Sequence, residues 1–418
     1  MRINPIIFKQ YDIRGIYPSE INEKIAYQIG GSFVDFLNIL KKAKIVVGRD
    51  LRKSSKPLAE NFIKGLMDAG ADVIDIGTVT SPMLYFAKFA LKADAGAMIT
   101  ASHNPLKYNG IKMLGKNSSP ISGEEIKKAV TEKDFKKAKT KGNYAKSDIL
   151  KRYFDKVVGE LKLSNPPAGR AGKIKISINP DGGAAKLFIP EFMKRLNLLE
   201  SKKPDIFASF DYDADRLIIF DKNKKEIRGD VIGAIIADAT TKKGDRVVYD
   251  LRCSRAVPRY LKNRGITAVP GKVGRYDMVK TMKQVNAAFG IEITGHYYFK
   301  KLDFSTDPFF ALRKILERID ETKLKISELV KPLVAYHNTP IIDIKTDNFG
   351  KVAEKLKEKY RNASVNDMDG LTFEFSNWWF NIRPSNTEPL VRLVIEANTS
   401  DLLEEKKKEL LKTIATEK

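Results

Sequence analysis

The sequence predicts an α/β protein: three related α/β domains, each a mixed sheet sandwiched by helices, plus a C-terminal α+β domain, around a central cleft. Three observations predict this. A short apolar run, a polar turn and a helical stretch recur three times along the chain. Each recurrence is followed by a second apolar run that ends in a polar loop. From about residue 336 the chain abandons that plan.

The first unit opens with Ile45-Val46-Val47-Gly48-Arg49-Asp50 and continues in an amphipathic stretch over 56–69. The second opens with Ile174-Lys175-Ile176-Ser177-Ile178-Asn179 and continues over 184–196, and the third opens with Val247-Val248-Tyr249-Asp250 and continues over 255–264. Short runs rich in Val and Ile between turn residues read as strands, and the periodic stretches after them as helices. The later strands are 95–99, running into Thr100-Ala101-Ser102-His103-Asn104-Pro105; 206–210, running into Asp211-Tyr212-Asp213-Ala214-Asp215-Arg216; and 287–291, running into Glu292-Ile293-Thr294-Gly295-His296. In α/β layers, sites gather at strand ends, so three chemically different loops are expected to meet at one cleft. In the C-terminal part, a helix over 351–360, strands over 371–375, 379–382 and 391–397, and a final helix from Asp401 read as α+β, with Ser400 as its N-cap. The lysine-rich stretch 128–146 reads as a helical bridge between the first two domains, and 331–338 as the connection before the last. The expected domains are 1–145, 146–243, 244–335 and 336–418.

A chain of 418 residues exceeds what one hydrophobic core usually serves. Its apolar runs, such as 231–237, fall far short of the ~20 residues that cross a bilayer. Met1-Arg2-Ile3-Asn4-Pro5 carries no apolar signal region, so a cytoplasmic protein without a membrane partner is expected. The single cysteine, Cys253, excludes an internal disulfide framework. The charge is unusual: 75 Lys and Arg against 52 Asp and Glu give +23. Such an excess suits nucleic acid or dianionic phosphate substrates. The lysines are spread along the chain, with no basic arm and no aromatic RNA-binding signature, so no nucleic-acid partner is expected.

Asp211, Asp213 and Asp215 alternate after an apolar strand and can turn three hard oxygen donors on one cation, the ligand type that Mg²⁺ prefers. An EF-hand is excluded, because its sixth position would be Arg216 instead of glycine and its twelfth Lys222 instead of glutamate. Ser102 sits in a sharp turn closed by Pro105, with His103 beside it and Lys112 a few residues on; a serine hydroxyl needs a base or a metal to become a nucleophile. Two of the three histidines, His103 and His296, fall in strand-end loops, whereas His337 reads as structural or surface. Glu292 and Thr294 are spaced to point the same way from an extended loop, as a grip on vicinal sugar hydroxyls requires. Arg383-Pro384-Ser385-Asn386-Thr387-Glu388-Pro389, with Arg392 after it, gathers arginine forks, hydroxyls and amides fit for a phosphate.

Together these loops resemble the α-D-phosphohexomutase family, in its phosphomannomutase/phosphoglucomutase branch. The similarity runs through nearly the whole chain in order: Tyr11-Asp12-Ile13-Arg14-Gly15, Gly48-Arg49-Asp50-Leu51-Arg52-Lys53-Ser54-Ser55, the Ser102 loop through Lys112, the loop 211–216, the loop 292–296 and the loop 383–389. The resemblance implies a phosphorylated Ser102 linked by one Mg²⁺ to Asp211, Asp213 and Asp215. It implies that Tyr11, Arg14, His103, Lys112, Arg216 and His296 surround the reacting phosphate. Arg252, Arg275, Glu292, Thr294, Arg383, Ser385, Asn386, Thr387 and Arg392 would bind the sugar phosphate. The implied reaction interconverts hexose 1-phosphate and hexose 6-phosphate, of mannose or glucose, through a hexose 1,6-bisphosphate that also serves as activator. The partners would be small sugar phosphates, and the chain a monomer or homodimer. Asn386, where phosphoglucosamine mutases commonly carry glycine, leans away from that alternative. A non-catalytic binder of sugar phosphates or polyanions is the other.

Some positions depart from the family pattern. Tyr212 and Ala214 stand where the family often has glycine, and a positive φ at either costs about 1–2 kcal/mol. Thr294 replaces a serine, and Arg252 and Arg275 stand where lysine and histidine are expected. Only 25 residues separate Ala185 from Asp211, so the second domain is expected to lack a strand–helix piece, exposing a sheet edge that a partner subunit could cover.

Overall fold

The structure is a computed structural model and describes residues 3–39, 42–132, 134–159, 163, 173–346, 348–385 and 390–415. The chain divides into two compact units, one made of 1–229 with 294–326 and the other of 230–293 with 327–418.

In the first unit, the central strand pair is Lys44–Arg49 and Ala95–Ile99, parallel, with Ile45 opposite Ala95 and Arg49 opposite Ile99. Asp72–Thr78 lies parallel on the outer side of Lys44–Arg49, while Tyr108–Leu114 and then Ile13–Ile16 add antiparallel beyond Ala95–Ile99. Every residue of Ala95–Ile99 is buried, as a strand covered on both faces requires. The helices Glu23–Leu37 and Ser55–Asp68 bury Ile25, Ile29 and Phe33 of the first and Leu58, Phe62 and Leu66 of the second. This mixed sheet places the ends of Lys44–Arg49 and Ala95–Ile99 side by side, and both run straight into polar loops.

The expected lysine-rich helical bridge is corrected. The helix there is Gly123–Thr131, and Tyr144–Lys146 is instead a strand, parallel to Asp72–Thr78. Backbone pairing to the sheet edge at Asp72–Thr78 decides the outcome. The helix expected over 184–196 is likewise two pieces, a 3-10 turn Ala184–Leu187 and an α-helix Ile189–Arg195, because Pro190 has no N–H to donate and fits only the first turn.

The second sheet of this unit orders Glu226–Ile227, Leu217–Phe220, Ile206–Phe210, Lys175–Asn179 and Leu199–Glu200. Both Leu199–Glu200 and Ile206–Phe210 run parallel to Lys175–Asn179, on its opposite sides, yet only residues 201–205 connect them. A parallel crossover ordinarily takes a dozen or more residues and a helix. Both edge strands of this sheet are two residues long. Phe309, from the helix Pro308–Thr322, packs on Phe192 and Phe210 with ring centroids 5.1 and 4.9 Å apart, which joins 294–326 to this unit.

In the second unit, Arg246–Asp250 pairs in parallel with Thr267–Gly271 and with Phe289–Ile291. The C-terminal part is an antiparallel sheet in which Trp378–Pro384 lies between Leu371–Glu374 and Leu390–Ala397, backed by Phe349–Lys359 and Ser400–Ala415. Ser400 is the first residue of the last helix, so the expected cap is corrected to Thr399, whose hydroxyl accepts from the Leu402 N–H at 3.3 Å. His337 is exposed, in the short strand His337–Asn338.

Candidate active site

Three strand ends of the first unit converge on one acidic cluster. The loop after Ile206–Phe210 brings carboxylate oxygens of Asp211, Asp213 and Asp215 within 4.8 Å of one another, all buried. The turn is tied to itself: the Asp215 and Arg216 N–H groups each donate to Asp211 Oδ1 at 3.0 Å. It needs a left-handed residue, which is Ala214 at φ +53°. Tyr212 needs no such conformation, so of the two family glycines only the second is missed by the backbone, at a cost of about 1–2 kcal/mol.

Neighbouring segments supply cations and donors. Lys112, from Tyr108–Leu114, places Nζ 2.6 Å from both Asp213 Oδ2 and Asp215 Oδ2. Burial opposes a charge on Lys112, but the carboxylates of Asp213 and Asp215 outweigh it and hold the ammonium well above its ordinary range. Arg216 Nε lies 3.8 Å from Asp211 Oδ2. His296 bridges Asp215 Oδ1, at 3.2 Å from Nε2, and the Thr294 hydroxyl, at 3.1 Å from Nδ1. Burial and the like charges of Asp215 and Asp213 push Asp211 up to about 8. Asp213 Oδ1 is buried and has no hydrogen-bond partner among the described residues. Three hard donors, a carboxyl forced upward by its neighbours and an orphaned oxygen fit a divalent cation, and the triad can hold a metal ion.

Ser102 faces this cluster. Its Oγ is 3.5 Å from Asp211 Oδ2, the side chain is 2% exposed, and its φ is +50°. The Ser102 N–H donates to Thr100 Oγ1 at 2.9 Å. His103 Nδ1 lies 3.2 Å from Arg216 Nη2, and partial desolvation together with Arg216 and Arg14 pushes His103 down to about 3, so the ring is neutral. Arg14 is locked by Asp12 at 2.8–3.0 Å and reaches Asn104 Oδ1 at 2.6 Å and the Ala101 carbonyl at 3.3 Å. Tyr11 is half-buried just ahead of that strand. The structure thus brings together Ser102, His103, Lys112, Arg14, Arg216, Thr294, His296 and the three aspartates.

The remaining predicted residues belong to the second unit. Arg252 is buried against Asp250 at 2.7 Å, and Asp250 also accepts from the Ile293 N–H at 3.0 Å. Glu292 accepts from the Gly274 N–H at 3.1 Å, next to Arg275 at the start of its helix. Asp369 accepts from the Val273 N–H at 2.7 Å and from Arg383 Nε at 3.0 Å, tying the loop before Arg275 to the buried Arg383. Arg392 sits across the strand pair from Arg383 and pairs with Asp343 at 3.3 Å. Ser385 closes on Leu390 through its N–H at 2.8 Å, and Asn386 and Thr387 lie outside the described residues.

Two contributors escaped the sequence reading. Ser81, opening the helix Ser81–Ala90, donates from Oγ to Asp213 Oδ2 at 2.5 Å and from its N–H to the Asp213 carbonyl at 2.9 Å. Arg52 grips the Ser102 loop from below, donating to the Ser102 and Asn104 carbonyls at 2.7 Å each. Neither residue type signals such a role in a sequence, because both contacts run to groups distant along the chain.

This chain matches the family descriptions phosphoglucomutase/phosphomannomutase, alpha/beta/alpha domain I over residues 5–140, alpha/beta/alpha domain III over 228–336, and C-terminal domain over 343–413. A phosphomannomutase of Methanocaldococcus jannaschii is 34% identical over 98% of both chains. A phosphoglucomutase of Neisseria gonorrhoeae is 31% identical over 95% of this chain and 94% of its own. A solved phosphoglucomutase/phosphomannomutase family protein from Burkholderia thailandensis superposes with a TM-score of 0.86 at 25% identity, covering 99% and 98% of the two chains. Fold and site define a multi-domain α/β mutase, an isomerase acting on phosphorylated hexoses. The chain belongs to the α-D-phosphohexomutase family, in the phosphoglucomutase/phosphomannomutase group. No helix among the described residues is long and apolar enough to cross a membrane.

Proposed function

We propose that the enzyme interconverts the 1- and 6-phosphates of glucose and mannose through a phosphoserine at Ser102 and a hexose 1,6-bisphosphate. The reading is carried by one observation: the Ser102 hydroxyl lies 3.5 Å from a buried three-carboxylate cluster. Asp211, Asp213 and Asp215 with the Ser102 oxygen would hold one Mg²⁺. Bound there, Mg²⁺ would offset the charge of about −1.5 to −2 that a phosphoserine carries. A substrate hydroxyl attacks the phosphorus, the bond from phosphorus to the Ser102 oxygen breaks, and the hydroxyl proton passes to His296. His296 suits this part because Asp215 and Thr294 fix its ring. Lys112 stays cationic between its two carboxylates and, with Arg14 and Arg216, steadies charge on the transferring group. The bisphosphate then turns and returns its other phosphate to Ser102. Arg252, Arg275, Glu292, Thr294, Arg383, Ser385, Asn386, Thr387 and Arg392 hold the sugar phosphate in both orientations, within a four-domain layout at 1–145, 146–243, 244–335 and 336–418.

The test is a coupled assay on glucose, mannose and glucosamine 1-phosphates with Mg²⁺ and a trace of hexose 1,6-bisphosphate. Turnover of the first two is expected, with a phosphate mass on the intact protein that disappears in Ser102→Ala together with activity. Undiminished turnover in Ser102→Ala would discard the phosphoserine.

A further inference from the structure

Arg52 uses every N–H that its guanidinium has. Nε donates to Asp50 Oδ2 at 3.2 Å, Nη2 to the Ser102 and Asn104 carbonyls at 2.7 Å each, and Nη1 to the Pro105 and Tyr108 carbonyls at 3.0 and 3.2 Å. A guanidinium carries five N–H groups, so none remains for a substrate. The side chain is 1% exposed, and Asp50, itself fully buried, holds it from behind. The group is therefore built to fix backbone, and the backbone it fixes is that of the strained residue: Ser102 sits at φ +50°, and its own carbonyl is one of the four held.

The guanidinium carbon of Arg52 lies over the Tyr212 ring, 4.6 Å from its centroid. Tyr212 stands between two members of the acidic triad, and its carbonyl is held by the Ala184 N–H at 3.2 Å. One residue thus touches both loops, its edge on the Ser102 loop and its face on the aspartate loop. A glycine at 212, the residue that the family often carries there, would leave that face bare.

We propose that Tyr212 is a positioning residue: stacked on Arg52, it sets the distance and orientation of Ser102 relative to the aspartate loop. The proposal rests on the reading of Ser102 as phosphate carrier. A cation–π contact between a buried guanidinium and a half-buried ring is worth enough to change a rate about five- to ten-fold. Tyr212→Leu is expected to take up phosphate from glucose 1,6-bisphosphate onto Ser102 that much more slowly, read by time-resolved intact mass. Its kcat should fall while KM for glucose 1-phosphate stays within about two-fold, and Tyr212→Phe, which keeps the ring, should restore both rates.

A second arm needs no substrate. Amide hydrogen exchange over 101–108 should accelerate at least about ten-fold in Tyr212→Leu and stay at the wild-type rate in Tyr212→Phe. Equal exchange in the Leu and Phe variants overturns the bracket, as does equal phosphate uptake by the two when the wild type is phosphorylated. If wild-type protein takes no phosphate on Ser102 while the exchange difference appears, the bracket stands and the phosphoserine reading falls.

Discussion

Replacing Lys112 by methionine tests the electrostatics of the site directly. Three buried carboxylates face cationic side chains, among them Lys112, 2.6 Å from two of the three. Near a protein surface, charges about 4 Å apart attract by about 4 kcal/mol, and removing one partner of a buried pair costs about 3–5 kcal/mol net. Methionine keeps most of the volume, so the loss is electrostatic. In EDTA, Lys112→Met is expected to unfold in urea with about 3–5 kcal/mol less stability than wild type. A cation in the cluster replaces the missing charge, so Mg²⁺ should stabilise the variant more than wild type; a ligand at a hundred times its Kd adds about 2.7 kcal/mol. The gap in EDTA should also widen as pH rises past about 8, where Asp211 gives up its proton in the wild type but keeps it in the variant, which lacks the Lys112 charge that lowers it. A gap below about 1 kcal/mol in EDTA, or identical magnesium responses in the two proteins, would refute this account of the site.

Further outcomes follow from other parts of the fold. Asp307 caps the helix Pro308–Thr322, accepts from the Phe310 N–H and the Tyr153 hydroxyl at 2.9 Å each, and is pushed up from 3.8 to about 7 by burial. The folded chain keeps a proton there that the unfolded chain releases, so stability falls as pH rises from about 4 to about 7, by about 4 kcal/mol in all. Asp307→Asn, which keeps an acceptor and cannot titrate, should lose that part of the pH dependence in urea titrations at pH 5 and 8; an unchanged slope would count against it. A Cβ at Gly183 would lie 1.9 Å from the Tyr212 carbonyl oxygen, so Gly183→Ala should cost about 1–3 kcal/mol and weaken magnesium binding measured by calorimetry. Thr399→Ala removes the hydroxyl that caps Ser400–Ala415 and should lower stability by about 1 kcal/mol, whereas Ser400→Ala should change it by far less.

The strands Ala95–Ile99 and Ile206–Phe210 were legible to the residue, because each is an apolar run closed by a polar loop. The acidic triad was legible for the same reason: a strand end displays its loop, and alternate carboxylates need little else to converge. Local pattern misled where long-range pairing took over. Residues 144–146, at the end of a lysine-rich stretch, became a strand because an edge of the first sheet was free to pair with them, and Pro190 split a stretch whose periodicity alone read as one helix.

By itself, the sequence determined which residue types stand at which strand ends, and so the chemistry available: a hydroxyl, three carboxylates, a lysine and a histidine. Only the tertiary structure decided that Ala214 and Ser102 take left-handed backbones, and that Arg52 spends all its donors on carbonyls. It also placed 294–326 with the N-terminal unit, through Phe309 against Phe192 and Phe210. Periodicity and spacing report each segment's own preferences, whereas backbone carbonyls and ring faces look alike at every position until folding brings distant ones together.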